Sequence, residues 1–96
     1  MSQDFIELNL SQNRLGDEGL SRLCQLYETD NCYVKILKLR ACSFTSGRVF
    51  DSLKYNSSLK ELNLAENCFS LKKDAQLIKF MLWTSKELRR LDLSRC

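Results

Sequence analysis

The chain has 96 residues, 44% of them apolar and 28% charged, with 15 Lys and Arg against 12 Asp and Glu and a net charge of +3. That balance excludes a disordered segment, and no apolar run approaches the roughly 20 residues that a membrane-spanning helix needs. The charges are mixed rather than pooled: even the most basic stretch, KELRRLDLSR at 86–95, carries two acids, so nucleic acid is not the expected partner.

The first residues, MSQDFIELN, have neither a basic n-region nor an apolar h-region, so no signal peptide is expected. Phe5, Leu8 and Leu10 then begin an alternating pattern in which polar Glu7 and Asn9 flank Leu8, which predicts a short strand with one face buried. After Asn13 and Leu15 the period becomes helical, with Leu20, Leu23, Cys24 and Tyr27 at spacings of three and four. The pattern restarts as Val34, Leu37, Leu39, Cys42 and Phe44, followed by a shorter apolar stripe of Val49, Phe50 and Leu53. A third copy runs Leu59, Leu62, Leu64, Asn67 and Phe69. Its predicted helix has a stripe of Leu71, Ala75, Ile78 and Leu82, with Ser70 as N-cap and Asp74 near the first turn. In FMLW at 80–83, Met81 and Leu82 fit the buried face. Phe80 and Trp83 are expected to pack against a neighbouring repeat, the alternative being an exposed convex patch. The fourth copy supplies Leu88, Leu91, Leu93 and Cys96.

The copies start at Phe5, Val34, Leu59 and Leu88, so the periods are 29, 25 and 29 residues. Each has apolar residues at positions 1, 4 and 6, Asn or Cys at position 9 and, in the first three, an apolar residue at position 11. A loss of four residues is close to one helical turn of about 3.6 residues. The second repeat therefore keeps its buried face in phase, and its helix should be the shortest.

The frame LxxLxLxxN/CxL at this period resembles the leucine-rich repeat. The long period, the GDEG after Leu15 and the Asn/Cys alternation resemble its ribonuclease-inhibitor-like subfamily. The resemblance runs from about Phe5 to Cys96. It implies an α/β leucine-rich-repeat solenoid, a horseshoe arc of about three and a half repeats with parallel strands on the concave face and helices on the convex face. Residues 1–96 form a single domain in this reading, with the last repeat incomplete. Neither end has an atypical polar cap, so a strand edge is left open. Three arrangements would cover it: further repeats of a longer solenoid, which is the expectation, a partner, or self-association.

Position 9 lies where the chain leaves the strand, and an asparagine amide there can serve both donors and acceptors of neighbouring turns. Asn13, Cys42, Asn67 and Cys96 are therefore read as a structural ladder. The five cysteines form no CxxC pair and the chain has no histidine. No metal, cofactor or catalytic residue is expected, and the thiols read as reduced, with Cys32 the one expected to be exposed. Positions 3 and 5 point away from the buried leucines. They give a candidate protein-binding set of Glu7, Asn9, Lys38, Glu61, Asn63, Arg90 and Asp92, joined by Arg40 at position 7. Charge pairs between strands, such as Glu61 beside Arg90, are the plainer reading of the same residues.

Repeats without a catalytic constellation imply a non-catalytic protein–protein interaction module, in the cytosol or nucleus, that binds a protein partner through its concave strand face. Two alternatives remain. One is a structural subunit of a larger assembly. The other is a GTPase-activating leucine-rich-repeat fragment, for which Arg14 and Arg40 are candidates that no motif selects.

Overall fold

The computed structural model describes residues 7–27, 34–53, 59–70, 72–85 and 87–96. Phe5 and Cys32 lie outside the described residues, as do Leu71 and the side chain of Tyr27. Strands and helices alternate along the chain: β1 (Glu7–Asn9), α1 (Gly16–Tyr27), β2 (Ile36–Lys38), α2 (Arg48–Leu53), β3 (Glu61–Asn63), α3 (Ala75–Thr84) and β4 (Arg90–Asp92). At 6 residues α2 is the shortest of the three helices, which have 12, 6 and 10, as the contracted second repeat requires.

The strands form one sheet in the order β1-β2-β3-β4. All three pairings are parallel, and Leu8, Leu37, Leu62 and Leu91 stand side by side across it. The spatial register is thus the sequence repeat, position for position. Such alignment lets side chains of the same kind pack in layers between the sheet and the helices.

The core lies on the helix side. Leu37 and Leu62 of the two inner strands, and Leu39 and Leu64 just after them, are fully buried there with Leu20 and Cys24 of α1, Val49, Phe50 and Leu53 of α2, and Met81 of α3. Phe44 and Phe69, the residues at position 11, join this layer. The Phe69 ring lies 5.2 Å from Phe50 and 6.3 Å from Phe44, within the range of favourable tilted aromatic pairs. Leu8, Leu10, Leu91 and Leu93 on the outer strands are half-buried, because each has a neighbour on one side only.

The third helix departs from expectation. Ala75 is exposed, Leu82 is 49% exposed, and the helix meets the core through Met81 with Leu77 and Ile78 half-buried. The segment is apolar at Ala75, Leu77, Ile78, Phe80, Met81, Leu82 and Trp83, so two adjacent stripes have equally regular spacing and periodicity cannot choose between them. Packing against α2 chooses: Asp74, 6% exposed, lies against Gly47 just ahead of α2 and sets the rotation of the helix. Ser70 does not cap this helix either. Its hydroxyl accepts from the Lys73 N–H at 3.3 Å and holds a separate turn, while Asp74 occupies the N-cap position without a side-chain capping bond. Trp83, expected to pack on a neighbouring repeat, instead stands 84% exposed, and Phe80 is 39% exposed.

Candidate protein-binding face

A common turn carries the chain out of each strand. Gln12, Ala41, Glu66 and Arg95, all at position 8, have φ values of 65°, 55°, 59° and 58°. The left-handed conformation reverses the chain, which places the next residue, Asn or Cys, into the stack. No glycine marks the position, so the sequence gives no hint of it.

Asn67 shows what position 9 does when repeats flank it. Its Oδ1 accepts from the N–H groups of Cys42 (2.8 Å) and Phe44 (3.2 Å) in the preceding repeat. Its Nδ2 donates to the carbonyls of Leu39 (2.9 Å), Leu64 (2.9 Å) and Ala65 (3.3 Å). Cys42 and Cys96 keep the donor function, each thiol reaching a carbonyl of the preceding repeat, Leu10 and Leu64 respectively, at 3.2 Å. Asn13 bonds within its own turn, to Leu10 and Ser11. Burial pushes the Cys42 thiol above its ordinary range, which keeps it protonated and unreactive. Of the described cysteines only Cys68 is exposed.

Position 5 has a second duty that spacing alone did not reveal. Asn9 Oδ1 accepts from Ser11 N–H and Asn63 Oδ1 from Ala65 N–H, each at 3.0 Å, and Asp92 Oδ1 accepts from Ser94 N–H at 2.9 Å. Each closes the strand end with an Asx turn. Lys38 has no oxygen to offer, and in its repeat the hydroxyl of Ser11 accepts from Arg40 N–H at 3.0 Å instead. Hydrogen bonds from Ser94 hold the Asp92 carboxyl below its usual range, and the charges of Arg40 and Arg90 add to this.

The helix-free face of the sheet carries all eight candidate residues. Glu7 and Lys38 lie 3.4 Å apart, Glu61 and Arg90 3.8 Å apart, and Arg40 pairs with Glu66. Signs therefore alternate across the sheet. Solvent-exposed pairs of this kind add little stability, of order 0–1 kcal/mol each, and stay available to an incoming charged group. Ile36, between Glu7 and Glu61, is only 8% exposed and forms an apolar floor.

Lys38, Glu61, Asn63, Arg90 and Asp92 line a hollow of about 610 Å³ on this face, together with Ile36 and Arg89. Glu7, Asn9 and Arg40 are not part of its lining. Arg89 was missed in the sequence, yet position 2 repeats a cation in three successive copies as Lys35, Lys60 and Arg89. None of these three forms an ion pair among the described residues. Those residues also contain no cluster of three or more metal-ligating side chains and no helix long and apolar enough to cross a membrane.

A family model described as Leucine Rich repeat matches residues 2–24 and 55–72. The chain is 33% identical to the ribonuclease inhibitor of Mus musculus over 96% of its own length and 21% of the inhibitor's. It is 36% identical to the Sus scrofa ribonuclease inhibitor over 70% of its length and 15% of that protein's. It is also 33% identical to NACHT, LRR and PYD domains-containing protein 13 of Homo sapiens, over 99% of the chain and 9% of that relative. The chain thus spans a small part of the curated relatives it matches. Leucine-rich-repeat domains generally mediate protein–protein interaction. The repeated frame, the in-register parallel sheet with its alternating helices, and these similarities together make the chain a leucine-rich-repeat protein of the ribonuclease-inhibitor-like type.

Proposed function

We propose that the chain is a non-catalytic protein-binding module, acting in the cytosol or nucleus, that takes its partner on the helix-free face of the sheet. The observation that carries this reading is the hollow of about 610 Å³ over β2–β4, lined by Lys38, Glu61, Asn63, Arg90 and Asp92. Its charged groups alternate in sign over an apolar floor, and the residues at position 5 are held by their turns. Preorganised polar groups of this kind bind without a further ordering cost. Lys60 and Arg89, which form no ion pair among the described residues and lie beside the entry to the strands, favour a partner with an acidic patch.

The same proposal takes the chain as a stretch of a longer solenoid. Leu91 and Leu93 are half-buried where their inner-strand counterparts Leu62 and Leu64 are buried, and one more repeat would cover them.

Affinity isolation of partners with the intact protein, repeated with the Lys38→Glu/Arg90→Glu double variant, tests the binding face. A specific partner should be retained by the wild type and lost at least roughly tenfold by the variant, a change of about 1.4 kcal/mol. Retention of every specific partner by a folded double variant would contradict the proposal.

A further inference from the structure

Among the described residues, the large apolar side chains left exposed are Phe80, Leu82 and Trp83, and all three belong to α3. Leu82 shares a flank of the helix with Ala75, where a helix stacked alongside would cover it. Trp83 does not. Trp83 and Lys79 stand two residues on either side of Met81, the residue that meets the core, and so lie about half a turn away from it. They point outward whatever stacks beside α3. The Trp83 and Phe80 rings lie 6.4 Å apart, and with Gln76 and Lys79 they line a hollow of about 260 Å³.

The charged residue in the lining of this hollow is the cation Lys79, and Lys72 and Lys73 stand in the turn just before the helix. Lys72, Lys73 and Lys79 are exposed, and none forms an ion pair among the described residues. The helix itself, AQLIKFMLWT, contains no acid, and the preceding Asp74 is buried against Gly47. An exposed indole beside the Lys79 ammonium in one hollow combines the two features that mark an interface hot spot with steering charge.

We propose that the outer face of α3 docks an acidic amphipathic segment of a partner protein. An apolar side chain of that segment enters the Phe80–Trp83 hollow, and its carboxylates meet Lys72, Lys73 and Lys79. A bilayer surface or a nucleic acid would use the same cations. The walls of the hollow, with its rings tilted 46° to each other rather than coplanar, favour insertion of a single side chain over stacking or planar insertion. This site is separate from the sheet face, so either can fail without the other.

Trp83 is the one tryptophan of the chain, so its emission reports the site directly. The experiment selects random peptides displayed on phage against the intact protein, then titrates the enriched peptides as synthetic fluorescein conjugates. Enriched sequences should be acidic with an aromatic or aliphatic anchor and should shift the Trp83 emission to the blue. The Lys72→Glu/Lys73→Glu/Lys79→Glu variant should bind them at least roughly tenfold more weakly, and Trp83→Ala roughly 30-fold more weakly. Trp83→Phe, which keeps a ring in place, should lose less than Trp83→Ala. The proposal is overturned if no peptide is enriched, if those enriched are neutral or basic, or if they bind folded Trp83→Ala undiminished. It is also overturned if the emission shifts with phosphatidylserine vesicles or poly-uridine and not with the peptides.

Discussion

Replacing Asn67 by alanine removes a side chain that is only 2% exposed and that ties two repeats together. Its Oδ1 is the acceptor for the buried N–H groups of Cys42 and Phe44, and alanine leaves both without a partner. Each unsatisfied buried donor costs about 1–3 kcal/mol. The carbonyls suffer less, because Ala65 also accepts from Ala41 N–H and Leu64 from the Cys96 thiol. A loss of about 2–6 kcal/mol follows, against a total stability of roughly 5–15 kcal/mol for a domain of this size. Asn13→Ala removes the same chemistry from an exposed residue whose bonds stay within its own turn, and should cost no more than about 1 kcal/mol. Asn67→Cys restores a donor but not the acceptor and should fall between the two. Urea unfolding followed by far-UV circular dichroism measures all three, and each kcal/mol should also lower Tm by roughly 4–8 °C. Equal losses for Asn67→Ala and Asn13→Ala would refute the ladder, because the argument depends on Asn67 bridging repeats.

Ala41 has a φ of 55°, so Ala41→Gly should be neutral to stabilising by up to about 1 kcal/mol, whereas Ala41→Val should destabilise by about 1–2 kcal/mol; the same urea assay distinguishes them. A Cβ on Gly47 would lie 2.4 Å from Cγ of buried Asp74, so Gly47→Ala should cost about 1–3 kcal/mol. Adding Asp74→Ala should relieve that clash, giving a coupling of at least about 0.5 kcal/mol in a double-mutant cycle. Burial, the largest single influence, pushes the Asp17 carboxyl up, but three hydrogen bonds together outweigh it. The carboxyl is thus held below its ordinary value of 3.8 by the Thr45 hydroxyl and the N–H groups of Thr45 and Ser46. Its contribution is therefore present above that ordinary value and lost as pH falls through the lower folded one. Stability of Asp17→Asn, measured by urea unfolding from about pH 6 to about pH 2, should show a shallower acid limb than the wild type.

The repeat frame was legible because each of its letters answers to one physical demand. Leu8, Leu37, Leu62 and Leu91 recur at position 4, and the sheet places them in a row. The short α2 followed from a missing turn's worth of residues. Features that depend on context were not legible. The left-handed turn at position 8 is occupied by Gln12, Ala41, Glu66 and Arg95, none of them a glycine, and tertiary packing imposes it. Ser11 serves Arg40 N–H only because Lys38 cannot, a substitution across two repeats that no local pattern records. In α3, a nearly continuous apolar run hid which stripe faces inward, so Leu82 was assigned to the core and Trp83 to a neighbouring repeat. The eight candidate residues at the sheet surface could be placed on one face from alternation alone. Which of them line the hollow, and the role of Arg89 beside them, required the three-dimensional register.

The most direct measurement of the binding claim is site-specific photocrosslinking of the intact protein in cells. A photoreactive side chain is placed either at Asn63, in the hollow of the sheet, or at Gln25, on the exposed side of α1. Binding on the sheet face requires a discrete protein adduct from Asn63 and none from Gln25. An adduct from Gln25 alone, or the same adduct from both positions, would contradict it.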